Sequence, residues 1–415
     1  MTGRIFPTGN KHNLLNSEGK GETCAAKKQG NHTERRNNRA VFWARLLAVL
    51  CPGGRGPLFL CMKELIERLI KERTLSGKEW HTLLQGLPDL QKEEEETLFA
   101  VALRERERVY GRDVYIRGLI EFSSYCRCGC YYCGLRSGNG KAQRYRLTKE
   151  EILSCCREGY ALGFRTFVLQ SGEDRFFTAS RLADIVEAIR SNYPDCVVTL
   201  SVGERKRDDY ALWKKAGADR YLLRHETACP AHYGRLHPAA QTLQTRQRCL
   251  WDLKELGYQV GSGFMVGSPY QTADTLRDDM LFLQQLSPHM VGIGPFIPHH
   301  DTPFARFPAG SVTMTLRLLA ILRLLLPGVL LPATTALATL DPMGREKAMR
   351  AGANVVMPNL SPQSVRKKYD LYDHKVSSGS EAAEAVEELR TRMAAAGFTV
   401  VVSRGDSRVP VQKAP

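Results

Sequence analysis

The chain has 415 residues, 43% hydrophobic and 25% charged, a balance that excludes a wholly disordered or fibrous protein and supports a sizeable core. Its formal charge of +15 is uneven, because residues 1–61 carry ten Lys/Arg against three Asp/Glu. The remainder is mildly basic and has no aromatic-interleaved basic patch, so no nucleic-acid partner is expected.

In chain order, residues 8–39 are polar and basic and read as disordered. The run VFWARLLAVLCPGGRGPLFLC that follows is apolar, but Arg45 and the Pro/Gly break leave no span of about twenty residues, so no membrane partner is expected. It also lies too far from the start for a signal peptide. Helical periodicity begins at Met62 (MKELIERLIKER). The expectation is a native product starting there, with residues 1–61 a basic, disordered or non-native extension. Residues 62–112 form an N-terminal helical segment, with Leu65, Leu69, Leu83, Leu84 and Leu87 at helical spacing.

Short apolar runs then alternate with helices such as LTKEEILSCCREGYALGF and SRLADIVEAIRSNY. The expected strands are YIRGLIEF, TFVLQS, CVVTLSV, RYLLRHE, QVGSGFMVG, MVGIGPFIP, VLLPATTA and NVVMP. Eight strands buried on both faces and separated by helices predict a parallel sheet closed as a (βα)8 TIM-type barrel over residues 113–372, its site at the C-terminal strand ends. The extension 373–415 reads as one helix and one strand. All twelve cysteines lie at or before Cys249. Free thiols with a metal site fit this long chain better than a secreted disulfide framework, which points to the cytoplasm. Cys155, Cys156, Cys196 and Cys249 sit among apolar neighbours and read as core.

The chemistry-bearing stretch is CRCGCYYC just after the first barrel strand. Thiolates of Cys126, Cys130 and Cys133 at CxxxCxxC spacing can wrap three irons of a cubane and leave the fourth iron open. Three other readings stand beside it. They are a four-cysteine zinc site that includes Cys128, a redox pair of Cys130 and Cys133, and a structural cluster without catalysis.

The spacing resembles radical S-adenosylmethionine (SAM) enzymes, in which the open iron chelates SAM. That resemblance implies a 4Fe–4S cluster on the three cysteines, Tyr132 beside the adenine, and Cys128 as a bystander. Gln170, Ser171, Gly172 and Glu173, ending the second strand, occupy the place of the Gly-Gly-Glu motif whose backbone holds the SAM amino group. The runs RGLIEFSSYC, YYCGLR, VLQSGED, ADRYLLRHETA, MVGIGPFIPHHDTP, LPATTA and ANVVMPN resemble more narrowly the HydE family of FeFe-hydrogenase maturases. The resemblance covers roughly residues 62–375, and it implies a complete radical SAM (βα)8 barrel.

Carried over, the resemblance places Glu226 near the SAM amino group and Arg246 near its carboxylate, with Thr199 and Ser201 as further SAM contacts. It implies Arg220, Arg224, Met290, Thr334, Thr335, Met357, Tyr369 and Tyr372 at the substrate end, where basic and hydroxyl groups would make an anion-binding cavity. The implied reaction is reductive cleavage of SAM, with the 5′-deoxyadenosyl radical attacking the sulfur of a cysteine-bound iron carbonyl–cyanide complex. The implied partners are a tyrosine-cleaving radical SAM maturase, a GTPase scaffold maturase and a ferredoxin- or flavodoxin-like donor in an anaerobe. With no cysteine near the C-terminus, one cluster is expected. A methylornithine synthase or biotin-synthase-like enzyme, or a non-catalytic metallocluster carrier, would use the same core motif.

Overall fold

The computed structural model describes residues 57–376 and 382–410, so the expectation for residues 1–61 falls, up to residue 56, outside the described residues. The first helix runs Pro57–Glu72 and so starts ahead of the expected Met62. Gly77–Gly86 follows, opened by a capping box. Ser76 Oγ accepts the Glu79 N–H, and the Glu79 carboxylate accepts the Ser76 N–H at 2.8 Å. Lys92–Tyr110 has three glutamates in its first turn and ends at Gly111 in a positive-φ conformation (φ 60°) that an L side chain would strain. These helices pack on helices Ala273–Leu286 and Val312–Leu325. The rivet is Arg317, 7% exposed, whose guanidinium donates to the carbonyls of Leu87 and Leu90 and to Glu95.

The expected first strand, YIRGLIEF, is two strands in two sheets. β1 (Asp113–Ile116) lies between β10 (Val355–Val356) and β11 (Thr399–Val401), parallel to both. β2 (Gly118–Ser123) instead begins a six-stranded parallel sheet. It continues through β3 (Thr166–Ser171), β4 (Val197–Ser201), β5 (Arg220–Leu222), β6 (Gln259–Ser262) and β8 (Met290–Val291). Two further expected strands are also split. QVGSGFMVG gives β6 and β7 (Met265–Val266), and MVGIGPFIP gives β8 and β9 (Gly294–Pro295). The first of these breaks is at Gly263, where a Cβ would stand 2.0 Å from the Gly292 carbonyl oxygen.

VLLPATTA forms no named strand, yet parallel bridges join Met290 to Leu330, Pro332 to Val355, and Leu119 to Asn359. β3 and β4 are buried at nearly every position, as sheets covered by helices on the outside require. The outer helices include Lys149–Ala161, with a Thr148/Glu151 capping box, and Ala179–Asn192. Cys155, Cys156, Cys196 and Cys249 are buried in this packing. After helix Ala382–Ala395, β11 and the segment beyond it cover the N-terminal ends of the strands. Among the described residues no helix is long and apolar enough to cross a membrane.

Candidate active site

A cavity of about 380 Å³ opens at the C-terminal strand ends, within the range of small-ligand sites. At one end stands the loop after β2 with Tyr132, Cys130 and Cys133. Cys126 sits just behind, its Sγ accepting the N–H groups of Cys128 (3.4 Å) and Glu173 (3.3 Å). A hydrogen bond from the Cys128 side chain and these N–H groups bring the Cys126 thiol down to about 7, while burial pushes Cys130 up to about 11 and Cys133 higher still. Gln241, which sequence reasoning missed, donates its amide to Cys130 Sγ (3.5 Å) and accepts the Gly129 N–H (3.1 Å).

Among the described residues, no three of these loop thiols bring their sulfurs within 4.8 Å of one another. One tetrahedral zinc at 2.3 Å from each sulfur holds thiolates about 3.8 Å apart. A cubane with one iron per thiolate tolerates a wider spread of sulfurs than a single zinc does. Cys128 is absent from the cavity lining.

Tyr132 is fixed by its hydroxyl, 3.1 Å from His237 Nε2. Burial, then Arg246, hold His237 down to about 3, while burial raises Tyr132. The neutral imidazole therefore accepts the phenolic proton and donates from Nδ1 to the Tyr233 carbonyl, 3.1 Å away.

Only part of the second motif reaches the cavity. Gln170 and Ser171 line it. Gly172 and Glu173 lie behind as buttresses, the Glu173 carboxylate accepting from the Glu204 N–H (2.8 Å) and Arg127 Nε (2.9 Å). Ser201 faces the cavity from the end of β4. Glu226 stands at φ +64°, a conformation costly for a non-glycine residue. Its carboxylate lies 3.0 Å from the Arg224 guanidinium, and its N–H donates to the Gly263 carbonyl. Arg246 is buried, held by Glu204 at 2.7 Å, a partner that sequence reasoning did not find. Burial, opposed by Arg246, raises the Glu204 carboxyl.

The far end is lined by Met290, Thr334, Thr335, Met357, Tyr369 and Tyr372. Among the described residues the buried Thr334 hydroxyl has no hydrogen-bond partner. Burial lifts Tyr372 to about 12 and raises Tyr369 further. Three lining charges were missed by sequence reasoning: Arg345, and Lys375 paired with Glu121 at 2.6 Å. A carboxylate inside the apolar run GLIEF was the available signal for Glu121; the short helix Gly344–Arg350 gave none for Arg345.

Two expected contacts are corrected. Arg220 and Thr199 do not reach this cavity but line a small separate pocket toward the N-terminal strand ends. There Arg220 pairs with Asp406 (2.7 Å) and donates to the Arg404 and Gly405 carbonyls. Met290 touches both spaces, its sulfur 2.8 Å from the Arg117 guanidinium.

Residues 120–283 match the family model for the radical SAM superfamily. Over 281 residues the chain is 50% identical to the [FeFe] hydrogenase maturase subunit HydE of Thermotoga maritima, covering 68% of this chain and 80% of that protein. The chain belongs to the HydE family of radical SAM maturases. It is also 29% identical over 323 residues to a 3-methylornithine synthase of Methanosarcina acetivorans, covering 77% and 89% of the two chains. The solved methylornithine synthase PylB superposes with a TM-score of 0.71 at 25% identity over 81% of this chain and 97% of that one. The FeFe-hydrogenase maturase HydG of Carboxydothermus hydrogenoformans shares the fold, with a TM-score of 0.68 at 22% identity over 86% and 83%. As a HydE-family radical SAM enzyme of hydrogenase maturation, the chain uses a 4Fe–4S cluster and SAM.

Proposed function

We propose that the cavity holds SAM at the thiol-loop end and a cysteine-bound iron carbonyl–cyanide complex at the other, inside a complete (βα)8 barrel spanning residues 113–372. The helical segment 62–112 would flank the barrel and the extension 373–415 close its N-terminal end. The observation that carries this reading is one continuous cavity with thiols at one end and cations and a free hydroxyl at the other. The parallel bridges from Met290 to Leu330, Pro332 to Val355 and Asn359 to Leu119 support the closed ring.

Cys126, Cys130 and Cys133 would hold the cluster. When bound, the cluster and SAM supply reductive cleavage of the sulfonium to methionine and a 5′-deoxyadenosyl radical. The residues bind and orient. Tyr132, pinned by His237, offers its ring as a wall for the adenine. The backbone of residues 170–173, with Glu226, faces the ammonium, and Arg246 and Ser201 the polar groups of the amino acid. Arg224, Thr334, Thr335, Tyr369 and Tyr372 would take the anionic and polar groups of the substrate, while Met290 and Met357 supply apolar wall. Tyr369 and Tyr372 lie on a strap held by the Gly134 N–H to Leu371 (3.0 Å), the Asp373 N–H to Pro298 (3.0 Å) and His300 to Asp373 (2.6 Å). The strap excludes water from the reacting centre.

The expected partners are a tyrosine-cleaving radical SAM maturase upstream and a GTPase scaffold maturase downstream, in the cytoplasm. The test is substrate dependence. A synthetic cysteine-bound iron carbonyl–cyanide complex should accelerate 5′-deoxyadenosine release and yield a product that activates apo-hydrogenase. Acceleration by lysine alone would overturn the assignment in favour of methylornithine synthase chemistry.

A further inference from the structure

The cluster needs one electron from outside, so its donor must meet the surface nearest the thiol loop. Three loops share that surface. Arg127 N–H donates to the Glu173 carbonyl (3.1 Å), Glu173 N–H to Cys126 Sγ (3.3 Å), and Glu204 N–H to the Glu173 carboxylate (2.8 Å). The loops after β2, β3 and β4 are thus within two hydrogen bonds of Cys126.

Within the loops themselves the outward charge has one sign, the exposed Asp208 lying just beyond them in the first turn of the helix Arg207–Ala216. Residues 124–146 contain five arginines and lysines and no carboxylate. The carboxylates of the other two loops turn inward. Glu173 and Asp174 are 7% and 3% exposed, and they face Arg127 and Arg146 respectively. Glu204 faces the buried Arg246. Arg127, Arg146, Arg175, Arg181 and Lys206 remain exposed.

On this face lie two large aromatic side chains that burial would normally claim. Tyr125 is 37% exposed and Phe176 45%. The Arg146 guanidinium lies 3.7 Å from the Tyr125 ring centre and 4.8 Å from that of Phe176, and Arg181 lies 4.2 Å from Phe176. Arginine stacked on exposed aromatic rings is the composition of protein interfaces. The stack also holds the rings rigid, which lowers the entropy cost of docking. A positive field with apolar contacts steers and then seats a negatively charged protein.

We propose that this face docks a small acidic one-electron carrier protein, with the Tyr125–Arg146–Phe176–Arg181 stack as its apolar centre and Arg175 and Lys206 on its rim. The proposal rests on the radical SAM reading of the thiol loop. A redox encounter of this kind needs only a small interface, and the rim charges set its association rate and salt dependence.

The test uses the full chain with its cluster reconstituted, comparing wild type with the Arg175→Glu/Lys206→Glu double variant and with Arg181→Glu. Initial rates of 5′-deoxyadenosine formation are read with subsaturating reduced acidic ferredoxin and, in parallel, with dithionite. The ferredoxin-driven rate of the variants should fall about tenfold and lose most of its salt dependence, with the dithionite-driven rate within about twofold of wild type. An unchanged ferredoxin-driven rate would overturn the proposal, as would equal losses in both arms, which would assign these side chains to the fold. Lost hydrogenase maturation in cells with an intact ferredoxin-driven rate would give the face to another partner and also overturn it. A wild type that releases no product even with dithionite would instead remove the radical SAM reading beneath the proposal.

Discussion

A methyl group at Gly172 would stand 2.4 Å from the Tyr125 carbonyl oxygen and 2.6 Å from the Cβ of Cys126. Neither neighbour is the end of a flexible side chain, so the thiol loop itself must move. Displacement of about 1 Å in a positioning element costs up to about a hundredfold in rate. Gly172→Ala should therefore lower dithionite-driven SAM cleavage by one to two orders of magnitude, read as 5′-deoxyadenosine per cluster, and wild-type turnover would contradict the buttress role. The thiols should divide just as sharply. Serine at Cys126, Cys130 or Cys133 should each abolish the cluster absorbance and SAM cleavage. Cys128→Ser should keep both within about twofold, because Cys128 falls off the CxxxCxxC spacing that the other three thiols keep. Loss of iron in Cys128→Ser would make it a ligand.

The strand ends divide two kinds of work between the two ends of the sheet, and the extension closes one of them. Arg220, 3% exposed, is neutralised there by Asp406, which is itself half exposed. Asp406→Ala should cost about 1–3 kcal/mol, below the value for a fully buried pair because water reaches Asp406. The denaturation midpoint should fall while KM for SAM stays unchanged, and a raised KM would put Arg220 back in the SAM cavity.

His289 lines the same small pocket. Burial, then Lys254 and Arg220, bring its imidazole down to about 4. A histidine depressed when folded binds its proton more readily unfolded, so its contribution to stability is intact above pH 6.5 and lost as pH falls toward 4. The loss amounts to roughly 3 kcal/mol. His289→Asn keeps an acceptor for the Val260 N–H and should flatten that part of the pH dependence of unfolding. Identical acid profiles for the two proteins would contradict this assignment.

The radical SAM α/β fold and the thiol loop of the whole molecule were legible because both are local signals. Apolar runs between helices mark buried parallel strands, and CxxxCxxC is a contiguous pattern. What a strand pairs with is not local. Val114 and Ile120 are both fully buried β residues, yet they belong to different sheets, and nothing in YIRGLIEF marks the change at Arg117. Depth was hidden for a similar reason. Residues two apart share a face, so Arg220 and Arg224, or Thr199 and Ser201, both read as interior. At about 3.3 Å per residue, however, Arg220 lies roughly 13 Å below Arg224, at the other end of the strands. Glu204 and Gln241 were missed because they act through Arg246 and Cys130, partners that only folding brings near.

The measurement that tests the central claim most directly is 5′-deoxyadenosine formation by the protein reconstituted anaerobically with iron and sulfide, given SAM and dithionite. The Cys126→Ala/Cys130→Ala/Cys133→Ala variant runs beside it. Product from wild type and none from the variant is the predicted result. A fully loaded, SAM-bound wild type that releases no product would contradict the account and leave a metallocluster carrier in its place.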